Sequence, residues 1–476
     1  MLFNSVPFLV FFPTVLLGYY LLRDYRKQNA WLLAASLFFY GSWDWRFLFL
    51  LGFTIVVDFF VARRIQRLID EDRAPREQRL LLTASIVTNL GALAFFKYYN
   101  FFASSVNGLA GWLHVSAGIP VLNVVLAIGI SFFTFQSMSY TVDVYRGKLR
   151  AAERLSDFAL FVSFFPHLVA GPIMRAVDLL PQIIHPRGTT RAQVEQGLEL
   201  IAWGFWKKMF VADNLAPTVN ELFSRGTLTG FEVLVAAYAF AFQIYGDFSG
   251  YTDIARGVAK LLGFELTLNF NLPYLSASPQ EFWTRWHISL STWLREYLYF
   301  SLGGNRGGAF LTYRNLLLTM VIGGLWHGAA WNFVAWGFYQ GALLVVHRLL
   351  APVFERISTA AGRLRPLARV VAVVVMFQFT CYGWLLFRAE SLQQIVSMTK
   401  ELFTGSWGFE PALATPLLMY AAPLIGIELA LIAVRRFDPR MFRRIPLELR
   451  AAGYSVVAYA TIFLAAKPQG FIYFKF

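Results

Sequence analysis

Charge and cysteine are both scarce in this chain. Only 15% of its 476 residues are charged, against about 25% in a soluble globular chain. Hydrophobic residues make up 57%, and the mean hydropathy is +0.52. These values exclude an ordinary soluble domain and indicate a polytopic membrane protein. Cys381 is the single cysteine, so an internal disulfide and a thiolate metal cluster are both ruled out. The six histidines have no regular pair spacing, and neither HExxH nor the Walker phosphate loop occurs, so no metal is expected. Acidic residues are the scarcer charge, 28 against 42 Lys and Arg, for a net charge of +14. In a soluble chain that excess would point to nucleic acid. In a membrane chain it reads as cytoplasmic loops made basic by the positive-inside rule. No nucleic-acid partner is expected, and membrane lipid is the surrounding solvent. An internal repeat and a linker rich in Gly, Ser or Pro are also lacking.

What is present is a series of apolar runs long enough to span, at 6–22, 47–62, 80–96, 121–142, 231–248, 370–387, 416–434 and 454–466. No Lys or Arg precedes the first, while Arg23, Arg26 and Lys27 follow it. That pattern predicts a retained first helix with its N-terminus outside. Six arginines between 63 and 79 mark a cytoplasmic loop. Lys97, Tyr98 and Tyr99 sit where a membrane-boundary belt is expected. Residues 158–173, broken by Pro166, Gly171 and Pro172, read as a re-entrant piece. Lys207 and Lys208 fall inside the run 200–212, where they must snorkel or line a cavity. The tally is ten spans and two re-entrant pieces, an all-α fold.

The second re-entrant piece, residues 315–347, is almost wholly apolar and carries His327 at its centre. The 12 residues before Trp326's end would reach about 18 Å as a helix, roughly half a bilayer core of about 30 Å. Gly323, Gly324 and Gly328 weaken the helix there. Arg314 and Arg348 flank the piece, so both ends read as cytoplasmic and His327 as the tip of a hairpin near mid-membrane. An intramembrane histidine is costly and marks a candidate functional site.

Residues 278–300 predict an amphipathic interfacial helix of about six turns, with Ser278 as N-cap, Pro279 at the first position and Glu281 completing a capping box. His287 lies on its apolar face. A ring held out of water stays neutral, as a general base requires. Residues 245–256, YGDFSGYTDIAR, place Asp247 and Ser249 at a membrane boundary, either as a polar loop or as the lining of a substrate passage. GGNRGG at 303–308 is a helix stop that also offers Arg306 to an anion. Arg388 and Glu390 read as a surface ion pair.

Together GISFFTFQSMSYTVDVYRG (129–147), FFPHLVAGPI (164–173), YGDFSGYTDIARG (245–257), FWTRWHISLSTWLREYLYFSLGGN (282–305), GGLWHGAAWNFVAWG (323–337), GWLLFRAES (383–391) and FIYFKF (471–476) resemble the membrane-bound O-acyltransferase (MBOAT) family. The likeness is greatest to its bacterial branch that O-acetylates alginate-type exopolysaccharide, cellulose or peptidoglycan. The resemblance implies a ring of about 10–11 transmembrane helices with re-entrant hairpins and a central funnel. It implies one integral-membrane domain over 1–476, with N-terminal spans in 1–156, a catalytic core in 157–350 and C-terminal spans in 351–476. The family's two histidines map onto His327 and His287. The implied donor is acetyl-CoA, with no permanently bound cofactor. The implied acceptor lies outside a bacterial inner membrane, on a periplasmic SGNH-type acetyltransferase or on polysaccharide itself. On this reading His327 is the general base, and His287 orients the donor thioester or stabilises the oxyanion. Trp326 and Asn332 are neighbouring candidates, and Arg285, Arg295 and Arg306 are candidates for coenzyme A phosphates. The tail 471–476 is a candidate docking surface for the partner. A transporter or channel, or a secretion-complex scaffold, is the rival class. The lack of a repeat and of a series of intramembrane acids weighs against transport.

Overall fold

The computed structural model describes residues 1–115, 118–437 and 446–472, and among them there is helix but no strand. Among the described residues, five helices are long and apolar enough to cross a membrane: Pro75–Trp112, Gly230–Leu261, Ala309–His327, Gly362–Arg388 and Pro411–Ile432. A sixth candidate is the pair Trp331–Leu349 and Ala351–Ile357, bent by 59°. The chain is therefore a multi-pass membrane protein. It packs as two compact units, one made of 1–198 with 255–267 and the other of 199–254 with 268–476.

In the first unit, the helix Ile130–Tyr145 is buried on almost every side. Its polar residues therefore need partners within the protein, since lipid offers none. Ser137 donates to the carboxylate of Asp58, which also accepts from Ser85 Oγ (2.6 Å) and Asn89 Nδ2 (2.9 and 3.0 Å). The expected span 121–142 is not a continuous helix. Residues 119–127 form no regular secondary structure, and two asparagines of the preceding helix bond the backbone of two of them. Asn107 bonds both N–H and C=O of Ile119 (3.1 and 2.8 Å), and Asn100 bonds those of Leu122 (2.9 and 2.8 Å). Lys97 is likewise not at a helix end. The helix runs on through a π-turn, Ala94–Tyr98, to Trp112, and Lys97 Nζ reaches Ser131 Oγ at 3.3 Å. Residues 158–173 fit the broken piece expected of them. The helix Leu155–Ser163 has nine residues and stops at Phe164, and the chain stays buried through Met174.

In the second unit the awkward lysines are buried in ion pairs. Lys207 and Lys208 are 3% exposed and lie in a π-turn, Trp206–Ala212. Lys207 Nζ bonds Asp253 (2.6 Å) and Ser249 (2.9 Å). Lys208 Nζ pairs with Asp213 (2.7 Å) and Asp247 (2.9 Å) and donates to the carbonyl of Gln469 (3.1 Å). Residues 245–256 are thus no boundary loop. They lie inside the 32-residue helix Gly230–Leu261, and Gly246 and Gly250 let its backbone approach the lysine turn closely. Acids do exist inside the apolar region: Asp213, Asp247 and Asp253 pair with these lysines, whereas Asp58 is held by hydroxyl and amide donors. The tail is partly placed: Phe471 and Ile472 are buried, and Ile472 N–H donates to Asp247 (2.7 Å). These two residues pack inward rather than forming a docking surface, and 473–476 lie outside the described residues.

Candidate functional site

The hairpin around His327 forms as expected, with longer arms. Ala309–His327 and Trp331–Leu349 each contain 19 residues, about 28 Å of helix. The first arm therefore covers nearly the whole thickness of a bilayer core, and the 12-residue estimate that put His327 half-way was too short. The extra length is Ala309–Arg314, which the basic flank had suggested was loop. Small residues hold the arms together, as in other close helix pairs in membranes. A Cβ on Gly324 would stand 2.2 Å from the Phe333 carbonyl oxygen, and one on Gly337 would stand 2.4 Å from that of Met320. Gly328 is extended and ends the first arm immediately after His327.

His327 is 5% exposed. Its ring stands against those of Trp326 (5.0 Å), Trp336 (5.1 Å) and Phe387 (5.2 Å). It also lines a cavity of about 700 Å³. Trp283 and Trp336 form walls of this cavity near the histidine, and Arg295, His347 and Arg348 add basic groups to its lining. The indoles of Trp283 and Trp336, and the bases His347 and Arg348, escaped the sequence reading. The only signal for the last two was their position one hairpin arm away from His327.

The segment carrying His287 is not one amphipathic helix. It divides into Pro279–Trp283, Ile288–Trp293 and a π-turn, Leu294–Tyr299. Ser278 does cap the first piece, accepting from the Glu281 N–H at 3.1 Å. The break falls at His287, whose φ of +41° is uncommon for a residue with a side chain. Backbone pairing holds it there: Ile288 N–H donates to the Asn269 carbonyl (2.9 Å), and Asn271 N–H to that of Arg285 (2.9 Å). Trp286 and Trp293 are buried in protein, so the apolar face of this segment packs inward. The kink turns the His287 ring to 6.4 Å from that of His327 and 5.9 Å from Trp326. Burial pushes the His287 imidazole below the ordinary histidine range, so the ring is neutral.

The other expected residues divide. Arg295 lines the cavity, but Arg285, Arg306, Asp247 and Ser249 do not. Arg285 is held by Glu281 (2.9 Å) and the Asn271 carbonyl (3.1 Å). Arg306 stands in the glycine-rich turn, whose Asn305 is the residue that reaches the cavity. Asp247 and Ser249 serve the buried lysines. Asn332 donates to the carbonyl of Phe387 (3.1 Å), one of the last carbonyls of the helix ending at Arg388 and so without a partner in its own helix. Asn332 therefore fixes a wall of the His327 site. Arg388 is mostly buried, bonded to Asn220 (3.2 Å) and near Glu390 (3.5 Å).

No group of three or more His, Cys, Asp or Glu that could hold a metal occurs among the described residues. His327 on the cavity lining, with the neutral His287 ring 6.4 Å from it, suits proton transfer to and from a hydroxyl.

Residues 119–387 match the MBOAT, membrane-bound O-acyltransferase family. The chain is 42% identical over 441 residues to the "Probable alginate O-acetylase AlgI" of Azotobacter vinelandii, covering 92% of this chain and 86% of that one. It is 35% identical to the "Peptidoglycan O-acetyltransferase" of Helicobacter pylori, over 84% and 79% of the two chains. Similarity to the "Teichoic acid D-alanyltransferase" of Streptococcus thermophilus is lower, 29% over 46% of this chain and 56% of the other. A hairpin histidine lining a cavity and a family match over more than half of the chain lead to one conclusion: this protein belongs to the membrane-bound O-acyltransferase family and is an O-acyltransferase.

Proposed function

We propose that the protein moves an acetyl group from cytoplasmic acetyl-CoA to a hydroxyl outside a bacterial inner membrane, for O-acetylation of an exopolysaccharide of the alginate type. The carrying observation is the cavity. At about 700 Å³ it has the size of a cofactor site, with an imidazole at one place and Arg295, His347 and Arg348 at others. The arginines suit the phosphates of coenzyme A, and the apolar walls suit its pantetheine arm. Relatives named for alginate and peptidoglycan acetylation cover most of the chain, which supports a polysaccharide as final acceptor. Direct transfer and transfer through a periplasmic SGNH-type acetyltransferase use the same first step.

In that step, His327 accepts the proton of the acceptor hydroxyl as its oxygen attacks the thioester carbonyl carbon. The carbonyl oxygen takes up negative charge. As the C–O double bond re-forms, the C–S bond breaks, and the imidazolium returns its proton to the thiolate. The products are the O-acetyl ester and coenzyme A, with no net proton released. The test is purified protein in vesicles with labelled acetyl-CoA outside and a hydroxyl acceptor inside. The reading expects label in ester form within the lumen. Label that crosses only as free acetate or intact donor would indicate transport and overturn it.

A further inference from the structure

Both histidines enter the reading above as bases or donors, yet the tautomer of His287 is settled by one residue that no part of it uses. Asn269 is wholly buried. Three groups converge on its Oδ1: Ser289 N–H at 3.1 Å, Ser289 Oγ at 2.9 Å and His287 Nδ1 at 3.1 Å. A backbone N–H only donates, so the atom facing it is the amide oxygen and not the nitrogen. An oxygen only accepts, so Nδ1 of His287 must carry a proton. In a neutral ring Nε2 then holds the lone pair. That Nε2 is buried and has no hydrogen-bond partner among the described residues. The same Asn269 fixes the backbone kink, because its carbonyl takes the Ile288 N–H. Rotation of the ring is thereby tied to the φ of +41°.

We propose that Asn269 is a positioning residue for the transfer reaction: it locks His287 as the Nδ1–H tautomer, so that His287 meets the reacting groups as a proton acceptor through Nε2 and not as an oxyanion donor. This rests on the O-acetyltransferase reading of the site and narrows the role of one histidine within it. A neutral Nε2 with a lone pair repels a developing oxyanion and accepts from a hydroxyl. The two rings, 6.4 Å apart, are too distant for a direct hydrogen bond, so the group received lies between or beside them. The groups packed around His287 are Asn269, Phe248 (4.7 Å), Phe270 (6.5 Å), Trp326 and His327. Only His327 among these titrates. Asp247, next to Phe248 in sequence, is already paired with Lys208.

The experiment has a readout that needs no turnover. Solid-state 15N spectra of histidine-labelled protein in lipid, with His287 assigned by loss of its signal in His287→Gln, report which nitrogen is protonated. The expected result is Nδ1–H in the wild type and a mixture of tautomers in Asn269→Ala. An Nε2–H ring in the wild type overturns the proposal. The second arm is kinetic. Asn269→Asp keeps an acceptor facing Nδ1–H and adds a negative charge, which favours the imidazolium. The base form then appears at higher pH, so the acid limb of kcat/KM moves up by about one pH unit or more, with the alkaline side largely retained. Asn269→Ala lowers kcat by about 100-fold and leaves KM for acetyl-CoA unchanged. A folded Asn269→Asp protein whose acid limb does not move overturns the proposal while His327 remains the base. Should wild-type protein turn over no acetyl-CoA yet show Nδ1–H, the functional reading falls and the structural assignment of Asn269 stands.

Discussion

Gly324→Ala sets two known effects against each other inside the hairpin. Helix propensity favours the change, since alanine in place of glycine stabilises a helix interior by about 1 kcal/mol. Packing opposes it. The new Cβ would lie 2.2 Å from the Phe333 carbonyl oxygen, with Gly337 N and Cα at 3.2 and 3.1 Å. All three atoms are backbone, so no side-chain rotation relieves the clash. The arms must part by about 1 Å at this level, and overpacking of this kind costs about 1–3 kcal/mol. The net stability change is small, about 0–2 kcal/mol of loss, but the displacement falls one helical turn from His327. A misplacement of about 1 Å at a reacting group lowers turnover by about 100-fold. Activity should therefore fall far more than stability. The assay is turnover of acetyl-CoA by purified protein, with thermal stability in the same detergent. Gly426→Ala is the matched control: it lies in the helix Pro411–Phe437 with nothing within 4 Å of its added Cβ, and it should be active and equally or more stable. A Gly324→Ala protein with wild-type turnover would refute the close-packed hairpin as the device that places His327.

Three further outcomes follow from the same structure. Lys208→Met leaves Asp213 and Asp247 buried without their cation, and should destabilise the protein by about 3–5 kcal/mol, seen as a lower unfolding temperature. Adding Asp213→Asn should recover part of the loss. Arg295→Ala and Arg348→Ala should each raise KM for acetyl-CoA about tenfold with kcat little changed, and added salt should erase the difference. Arg285→Ala, whose guanidinium is occupied by Glu281, should leave KM unaltered. Asn332→Ala removes the bond to the Phe387 carbonyl, and should cost about 1–3 kcal/mol together with some kcat, because Phe387 stands against His327.

The hairpin was legible because its signals are local: glycines around a histidine, with arginines at both ends. Its length was not, because Ala309–Arg314 mixes polar and apolar residues and so gives no clear hydropathy signal. The kink at His287 was invisible for the opposite reason. Residues 278–300 keep a good helical period throughout, and the interruption comes from Asn269, 18 positions earlier. Lys207 and Lys208 were recognised as misfits, but their partners lie on other helices, so the reading offered only solvent or a cavity. The span expected at 121–142 shows a further limit. Hydropathy does not distinguish an apolar helix from an apolar irregular segment bonded by Asn100 and Asn107.

The central claim is that His327 carries out proton transfer in an O-acetyl transfer reaction. The most direct measurement is the turnover of acetyl-CoA by purified His327→Ala protein in vesicles, once its folding is matched to wild type by thermal unfolding. Loss of a general base lowers the rate by about 10²–10⁴-fold, with the donor still bound in the cavity at near wild-type affinity. Turnover within a factor of two of wild type would contradict the account.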